Sequence, residues 1–418
     1  MSSTSQSTLF GGIATAFSDR NFRFYSIGAI ATWIGFFVQL VAVSWYAWEL
    51  TESTKWLAIV ALLDIVPNVV LAPLAGAIAD RYDKYRLMGL VSFLALIQAT
   101  VIALLAWHDL LTIWPFAILV LIHGIIISFM VPAMYGILPR FVERSCLTSA
   151  IAVSSSYSQL AVFLGPAIAG WIIASYGVAV AFAVNAAGYL IYLFSWVYLK
   201  TPDSFKFPKP STAPILADIK AGAKYILNHR VISSLLVILL FGDALGASIF
   251  YMTPAYSEQF LGLGVMGVSI VLAAKGIGAT LAAFWIARGG EKMATFNRMQ
   301  FGYLCFLLSA LLIFLSPNMY LAVLAFVFLG FAAESYHTVM LSMVQLTVKE
   351  EQRGRVMSTL FMLSQLASGI GTYLVGYLAV QFGLTGPIMV VTAICFIVWI
   401  RYYLKRKSLA STYSQSLN

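Results

Sequence analysis

The chain has 418 residues, 61% of them hydrophobic and only 10% charged, with mean hydropathy +0.90. That much apolar surface does not fit inside one water-soluble globule, so lipid must be its solvent. A net charge of +9 raises the question of nucleic acid, but no basic soluble segment exists to carry that role.

Apolar runs of roughly the 20 residues a helix needs to cross the hydrocarbon core recur along the chain, without the alternation of barrel strands. They fall near 24–48, 56–79, 86–107, 113–137, 148–174, 178–199, 231–255, 263–287, 297–316, 319–346, 356–380 and 384–404. The expected fold class is therefore all-α integral membrane, with twelve transmembrane helices. The polar start MSSTSQSTLFGG leads into the first run without a short apolar core and a small-residue cleavage site, so that run is expected to be retained as a helix. Of the 25 Lys and Arg, 23 lie at the N-terminus, in even-numbered connections or at the C-terminus; Lys55 lies on the other side and Lys275 inside a span. The positive-inside rule then places both termini in the cytoplasm of a multi-pass inner-membrane protein.

After the second span comes PLAGAIADRYDKYRL. Gly76 lets another backbone approach the helix end, Asp80 follows four residues later, and Arg81, Lys84 and Arg86 cluster behind it. A carboxylate at the membrane edge can accept from the free N–H groups of a neighbouring helix start, which makes a latch. In the fifth span Gly165, Pro166 and Gly170 permit tight helix packing. The polar stretch 200–230 divides the spans six and six, giving an N-terminal half 1–199, a cytoplasmic linker and a C-terminal half 231–418. PILADIKAGAKYILNHR within the linker has helical apolar spacing with Lys220 and Lys224 on a polar face, which suits a helix along the membrane surface.

The halves echo one another. SQLAVFLGPAIAGWIIASYG from Ser158 aligns with SQLASGIGTYLVGYLAVQFG from Ser364, so that Gln159, Gly165, Gly170 and Gly177 match Gln365, Gly371, Gly376 and Gly383 at one constant offset. Two repeated halves commonly place a transport site at their interface. Ionisable groups within lipid cost at least a few kcal/mol each and persist where they face protein or water. Here they are Asp64, His123, Asp243, Lys275, Glu334 and His337, all near mid-membrane in the second, fourth, seventh, eighth and tenth spans. They are the candidates for substrate binding and proton coupling, with Glu334 and His337, one turn apart, first among them. The alternative for each is a buried pair that only fixes helix contacts.

Phosphate loops, nucleophile triads and metal-ligand clusters are absent from the sequence, and GIGATLAAF at Gly276 has no accompanying lysine. No cofactor, ATP-driven step or enzymatic activity is expected. Cys146, Cys305 and Cys395 show no paired spacing and are expected to be buried hydrophobes rather than a disulfide or metal site.

The G-x-x-x-D-R-x-x-K-x-R run from Gly76, the fifth-span G-P-A-I-A-G and the twelve-span plan together resemble the major facilitator superfamily. LTESTKWLAIVALLDIVPNVVLAPLAGAIADRYDKYRL, PAMYGILPRFVERSCLTSAIAVSSSYSQLAVFLGPAIAG and KEEQRGRVMS resemble the branch containing the enterobactin exporter and related drug and siderophore exporters. The resemblance implies two pseudo-symmetric six-helix bundles, with spans 3, 6, 9 and 12 as outer scaffold. It also implies that Asp80 docks near Gly354, Arg355 and Val356 at the start of span 11, with Arg140 or Arg144 as ion partners. This chain departs from the pattern at Asp83 and Lys84, where the family often has a second glycine, and in IARGGEKMATF, which has no acid matching Asp80. The function implied is proton-coupled export of a small siderophore-like or drug-like molecule by a monomer in the bilayer. Import, or lysolipid flipping by the same superfamily, is the alternative, and a channel or membrane-embedded enzyme is the rival class.

Overall fold

The computed structural model describes residues 17, 19–141, 147–199, 215–289, 294–316 and 318–417. A backbone in hydrocarbon must satisfy its own N–H and C=O groups, and the apolar runs do so as helices. They are α1 (Arg20–Thr51), α2 (Thr54–Val70), α3 (Ala72–Arg81), α4 (Lys84–Trp107), α5 (Ile113–Phe141), α6 (Leu147–Tyr176) and α7 (Val178–Val197). There follow α8 (Ile215–Asn228), α9 (Arg230–Tyr251), the short α10 (Thr253–Tyr256) with a π-turn at Ser257–Leu261, α11 (Gly264–Gly289), α12 (Phe296–Leu315), α13 (Met319–Thr347), α14 (Glu350–Phe382), α15 (Thr385–Leu404) and α16 (Arg406–Leu417).

Eleven of the described helices are long and apolar enough to span singly. The twelfth span is α2 and α3 together, interrupted at Leu71. Pro73 stands at the start of α3; lacking an N–H it cannot donate to the carbonyl four residues back, so the ladder restarts. The twelve spans form two six-helix bundles. In the first, α7 packs against α1 and α4, and α5 against α2 and α4. In the second, α13 packs against α11 and α12, and α14 against α9. The bundles meet through α2 on α14 and α6 on α11.

Small residues decide how closely these helices approach. A Cβ added at Gly376 would stand 2.5 Å from the Thr54 carbonyl oxygen, and Thr54 Oγ1 donates to the Gly376 carbonyl at 2.9 Å. Gly170 takes the side chain of Ser269 against its backbone in the same way. Gly177 and Gly383 join α6 to α7 and α14 to α15 with φ/ψ of 85°/167° and 70°/166°, a region only glycine enters without strain.

The face carrying most Lys and Arg is closed at the second bundle by two short helices. α8 lies along α14 rather than standing apart on the surface: Gly222 abuts Thr359 and would place a Cβ 2.8 Å from the Arg355 carbonyl oxygen. α8 also reaches α3. The sequence reading did not anticipate α16, whose Leu409 and Tyr413 are buried where it packs on α9, α12 and α13.

Candidate functional site

In the first bundle α2 carries Asp64 and α5 carries His123, and the packing of these helices brings His123 Nδ1 to 2.9 Å from Asp64 Oδ1. The imidazole is buried, whereas the carboxylate keeps 19% of its side chain exposed. A polar group held in a membrane bundle without a partner is costly, and this short contact gives each of the two a partner. Phe36 on α1 stacks on the imidazole with ring centroids 6.2 Å apart and planes 27° apart. Gln39, Leu40, Val43 and Val120 complete a small crevice around the pair. Gln39 in turn accepts a hydrogen bond from Asn185 of α7, both side chains being buried. The polar residue on a scaffold helix thus braces the polar residue beside the pair.

The second bundle spreads its charges. Asp243 on α9 accepts from the Ser364 hydroxyl of α14, and Ser368 donates to the Asp243 carbonyl oxygen at 3.5 Å. Glu334, one turn before His337 on α13, accepts from Thr338 Oγ1 at 2.7 Å and is the acid whose field reaches Lys275. Lys275 on α11 holds its ammonium 5.2 Å from the centre of the Phe250 ring. Glu334 and His337, neighbours in sequence, stand near different groups, with Glu334 held by Thr338 of its own helix.

At the basic face, a Cβ on Gly76 or Gly354 would meet no described atom within 4 Å. Among the described residues, glycines meet the other bundle at Gly276 on Phe163, Gly170 on Ser269, Gly369 on Leu62 and Gly376 on Thr54. Arg86 is 89% exposed and stands 3.9 Å from Asp83, while Asp83 Oδ1 accepts from the Tyr85 N–H at 2.8 Å and so caps α4. The departure from the family loop at Asp83 is thus a helix cap. Val356 is fully buried, and the Arg355 carbonyl accepts from Thr359 Oγ1 at 2.8 Å. The side chains of Asp80, Arg81, Lys84 and Arg140, and all of Arg144, lie outside the described residues.

The fifth-span motif serves packing on two sides. Gly165 admits Phe37 of α1 from its own bundle, Gly170 admits Ser269 of α11 from the other, and Pro166 lies between them within α6. Ser364, Thr338 and Phe36 hold or cover the ionisable groups and were not singled out in the sequence. A serine or threonine at helical spacing from an acid was the available signal for Thr338; Ser364 and Phe36 reach their partners only through tertiary packing.

The family model described as transmembrane secretion effector, of the major facilitator superfamily, matches residues 12–416. The staphyloferrin A transporter of Staphylococcus aureus is 25% identical over 393 residues, covering 92% of this chain and 96% of that protein. The macrolide efflux protein A of Streptococcus pyogenes is 21% identical over 394 residues, covering 89% and 94%. Among solved structures, the bacterial homolog of the human lysosomal transporter Spinster, inward-facing and unoccupied, superposes with a TM-score of 0.67 at 16% identity, over 95% of this chain and 91% of that one. The chain belongs to the transmembrane secretion effector family of the major facilitator superfamily, and it is a multi-pass membrane transporter, not an enzyme.

Proposed function

We propose that the protein exports a small organic molecule, siderophore-like or drug-like, from the cytoplasm in exchange for protons, the two halves 1–199 and 231–418 rocking about the linker 200–230. The observation that carries this reading is the set of ionisable side chains held at mid-membrane in both bundles, Asp64 with His123 and Asp243, Lys275, Glu334 and His337. Groups so placed exchange protons as access alternates. Export rather than uptake is favoured by the efflux relative and by the exporter-like motif of α6. The basic face is then cytoplasmic.

In liposomes, Glu334→Gln is expected to abolish substrate-driven proton movement while substrate exchange continues, because exchange needs the cleft but no net proton release. Accumulation against a gradient at the normal rate would transfer the role to Asp64 and Asp243. Orientation has its own test: an impermeant thiol reagent applied to intact cells should label a cysteine placed at Thr112 and spare one placed at Ser211. The reverse pattern overturns the orientation. For the latch, Asp80→Asn should weaken the cytoplasm-closed state by about 1–2 kcal/mol, read as altered cysteine accessibility at the two cleft mouths. An unchanged ratio would leave Asp80 an ordinary loop charge.

A further inference from the structure

The first bundle contains a cavity of about 80 Å3 that the charged residues do not line. One water needs only ~10–15 Å3, so there is room for a small ring. Trp33 and Phe36 of α1, Met88 of α4, Met130 and Met134 of α5 and Tyr192 of α7 contribute its walls. Aromatic rings and thioethers repack around apolar guests, and no cation stands among the lining residues to receive a carboxylate. The hydroxyls of Ser92 and Tyr192, also part of the lining, are buried with no hydrogen-bond partner among the described residues. With those hydroxyls in its walls, the cavity suits a guest that brings both a polar atom to pair with them and an apolar ring to gain dispersion contacts with the aromatic and thioether faces.

Phe36 belongs to this cavity and also to the crevice around Asp64 and His123. Its ring is a wall of the first and the stacked cover of the imidazole in the second. A guest that displaces Phe36 uncovers His123, and the partly exposed Asp64 gives the pair a route to the cleft. The titratable side chains whose fields couple to Asp64 from neighbouring helices are Tyr189 of α7 and Tyr251 of α9.

We propose that this cavity is a binding subsite for the aromatic ring of an uncharged or cationic amphipathic molecule, and that Phe36 is the positioning residue through which its occupancy reaches the Asp64–His123 pair. Seating the ring moves Phe36, and the proton shared by the pair passes to water in the cleft. The inference rests on the proton-coupled reading above and narrows its substrate to drug-like molecules rather than polycarboxylates.

The test uses the full-length protein in lipid nanodiscs with tritiated tetraphenylphosphonium as probe and a weakly buffered medium to record protons. The wild type is expected to bind the probe with proton release, and citrate is expected not to displace it. Filling the cavity by Ala29→Phe, or independently by Met134→Trp, should weaken binding by about tenfold or more. Phe36→Leu, measured at probe concentrations that saturate it whatever its affinity, should release no proton per bound probe and lose the pH dependence of binding. Absence of wild-type binding, displacement by citrate, filled variants that keep both fold and affinity, or proton release that survives Phe36→Leu each overturns the proposal. Wild-type binding without any proton release instead removes the coupling reading on which it rests. Thermal melting identifies a filled variant that has failed to fold, and the Phe36→Leu comparison then decides.

Discussion

Helices α6 and α14 carry the same SQLA tetrapeptide within them, at 158–161 and 364–367, and meet equivalent neighbours. Gly165 of α6 packs on Phe37 of α1, the first helix of its bundle, and Gly371 of α14 packs on Ala244 of α9, the first helix of the other. Gly170 crosses to α11 and Gly376 crosses to α2, again equivalent partners. The chemistry between these glycines differs. Ser158 of α6 spends its hydroxyl on the Ser155 carbonyl of its own helix at 2.9 Å, whereas Ser364 of α14 gives its hydroxyl to Asp243. Pro166 is matched by Thr372, whose buried hydroxyl has no partner among the described residues. The repeat has kept the frame on which the bundles close and has let the charged groups diverge: a tight Asp–His pair in one bundle, a dispersed set in the other.

The frame should be the more fragile part. Gly376→Leu places a branched side chain where a Cβ already meets the Thr54 carbonyl at 2.5 Å, and overpacking of this kind costs about 1–3 kcal/mol. Because the cost falls on a contact between the two bundles, transport should be lost; Gly170→Leu should do the same. Normal transport by both variants would break the equivalence of the two crossings.

Next in size is the pair. His123→Leu leaves Asp64 without its partner and should cost about 3–5 kcal/mol where the pair is ionised, read as a lowered melting temperature in detergent. The double replacement by leucine should recover most of that loss, since apolar packing has no desolvation cost. A double variant no more stable than the single one would mean that the pair does not set the stability of the bundle. In the second bundle Ser364→Ala removes one hydrogen bond to a carboxylate, worth about 1.5–3 kcal/mol, and should be milder than His123→Leu. The opposite ranking would reverse the contrast between concentrated and dispersed charge.

Smaller effects distinguish the ends of the bundles. Asp83→Ala removes the cap of α4 and should cost about 1 kcal/mol, with Asp83→Ser near neutral. Arg86→Ala, at an exposed pair, should cost less than about 0.5 kcal/mol. At the start of α9, His229 accepts from the Ile232 N–H, and partial burial holds its imidazole below the usual histidine range. The unfolded chain therefore binds this proton more readily. The cap's contribution is present above the ordinary histidine pKa and is lost as pH falls through the lowered one. A small acid-side drop in melting temperature should vanish in His229→Asn, and its persistence would assign the drop to another group.

Much of this was legible in sequence because lipid imposes a strong rule. Runs such as 113–137 and 384–404 had to be helices, and the structure sets them at Ile113–Phe141 and Thr385–Leu404. The break at Leu71 escaped because the hydropathy of 56–79 is continuous and Pro73 acts through geometry. α16 escaped because only Leu409 and Tyr413, four residues apart, anchor an otherwise polar segment. For the site, the depth of Asp64, His123, Asp243, Lys275, Glu334 and His337 could be read along the chain, but their pairing could not. His123 meets a residue 59 positions away, and Glu334 bonds Thr338 rather than His337. Phe36 is one aromatic residue among many, and nothing in its neighbours marks it as a wall between a cavity and a charge.

The junctions at Gly177 and Gly383 impose a pattern on sequence drift. Neither has a described atom within 4 Å of a would-be Cβ, so there is open space for a larger side chain at both. Their backbone angles nevertheless admit only glycine, at a cost of about 1–3 kcal/mol for anything else. A saturation-mutagenesis map of this protein would therefore show two intolerant columns that touch nothing, one at the same place in each bundle, surrounded by loop positions that accept most residues. Such a pair of columns would reveal the internal duplication from fitness data alone, even after drift had erased every other trace of the shared SQLA.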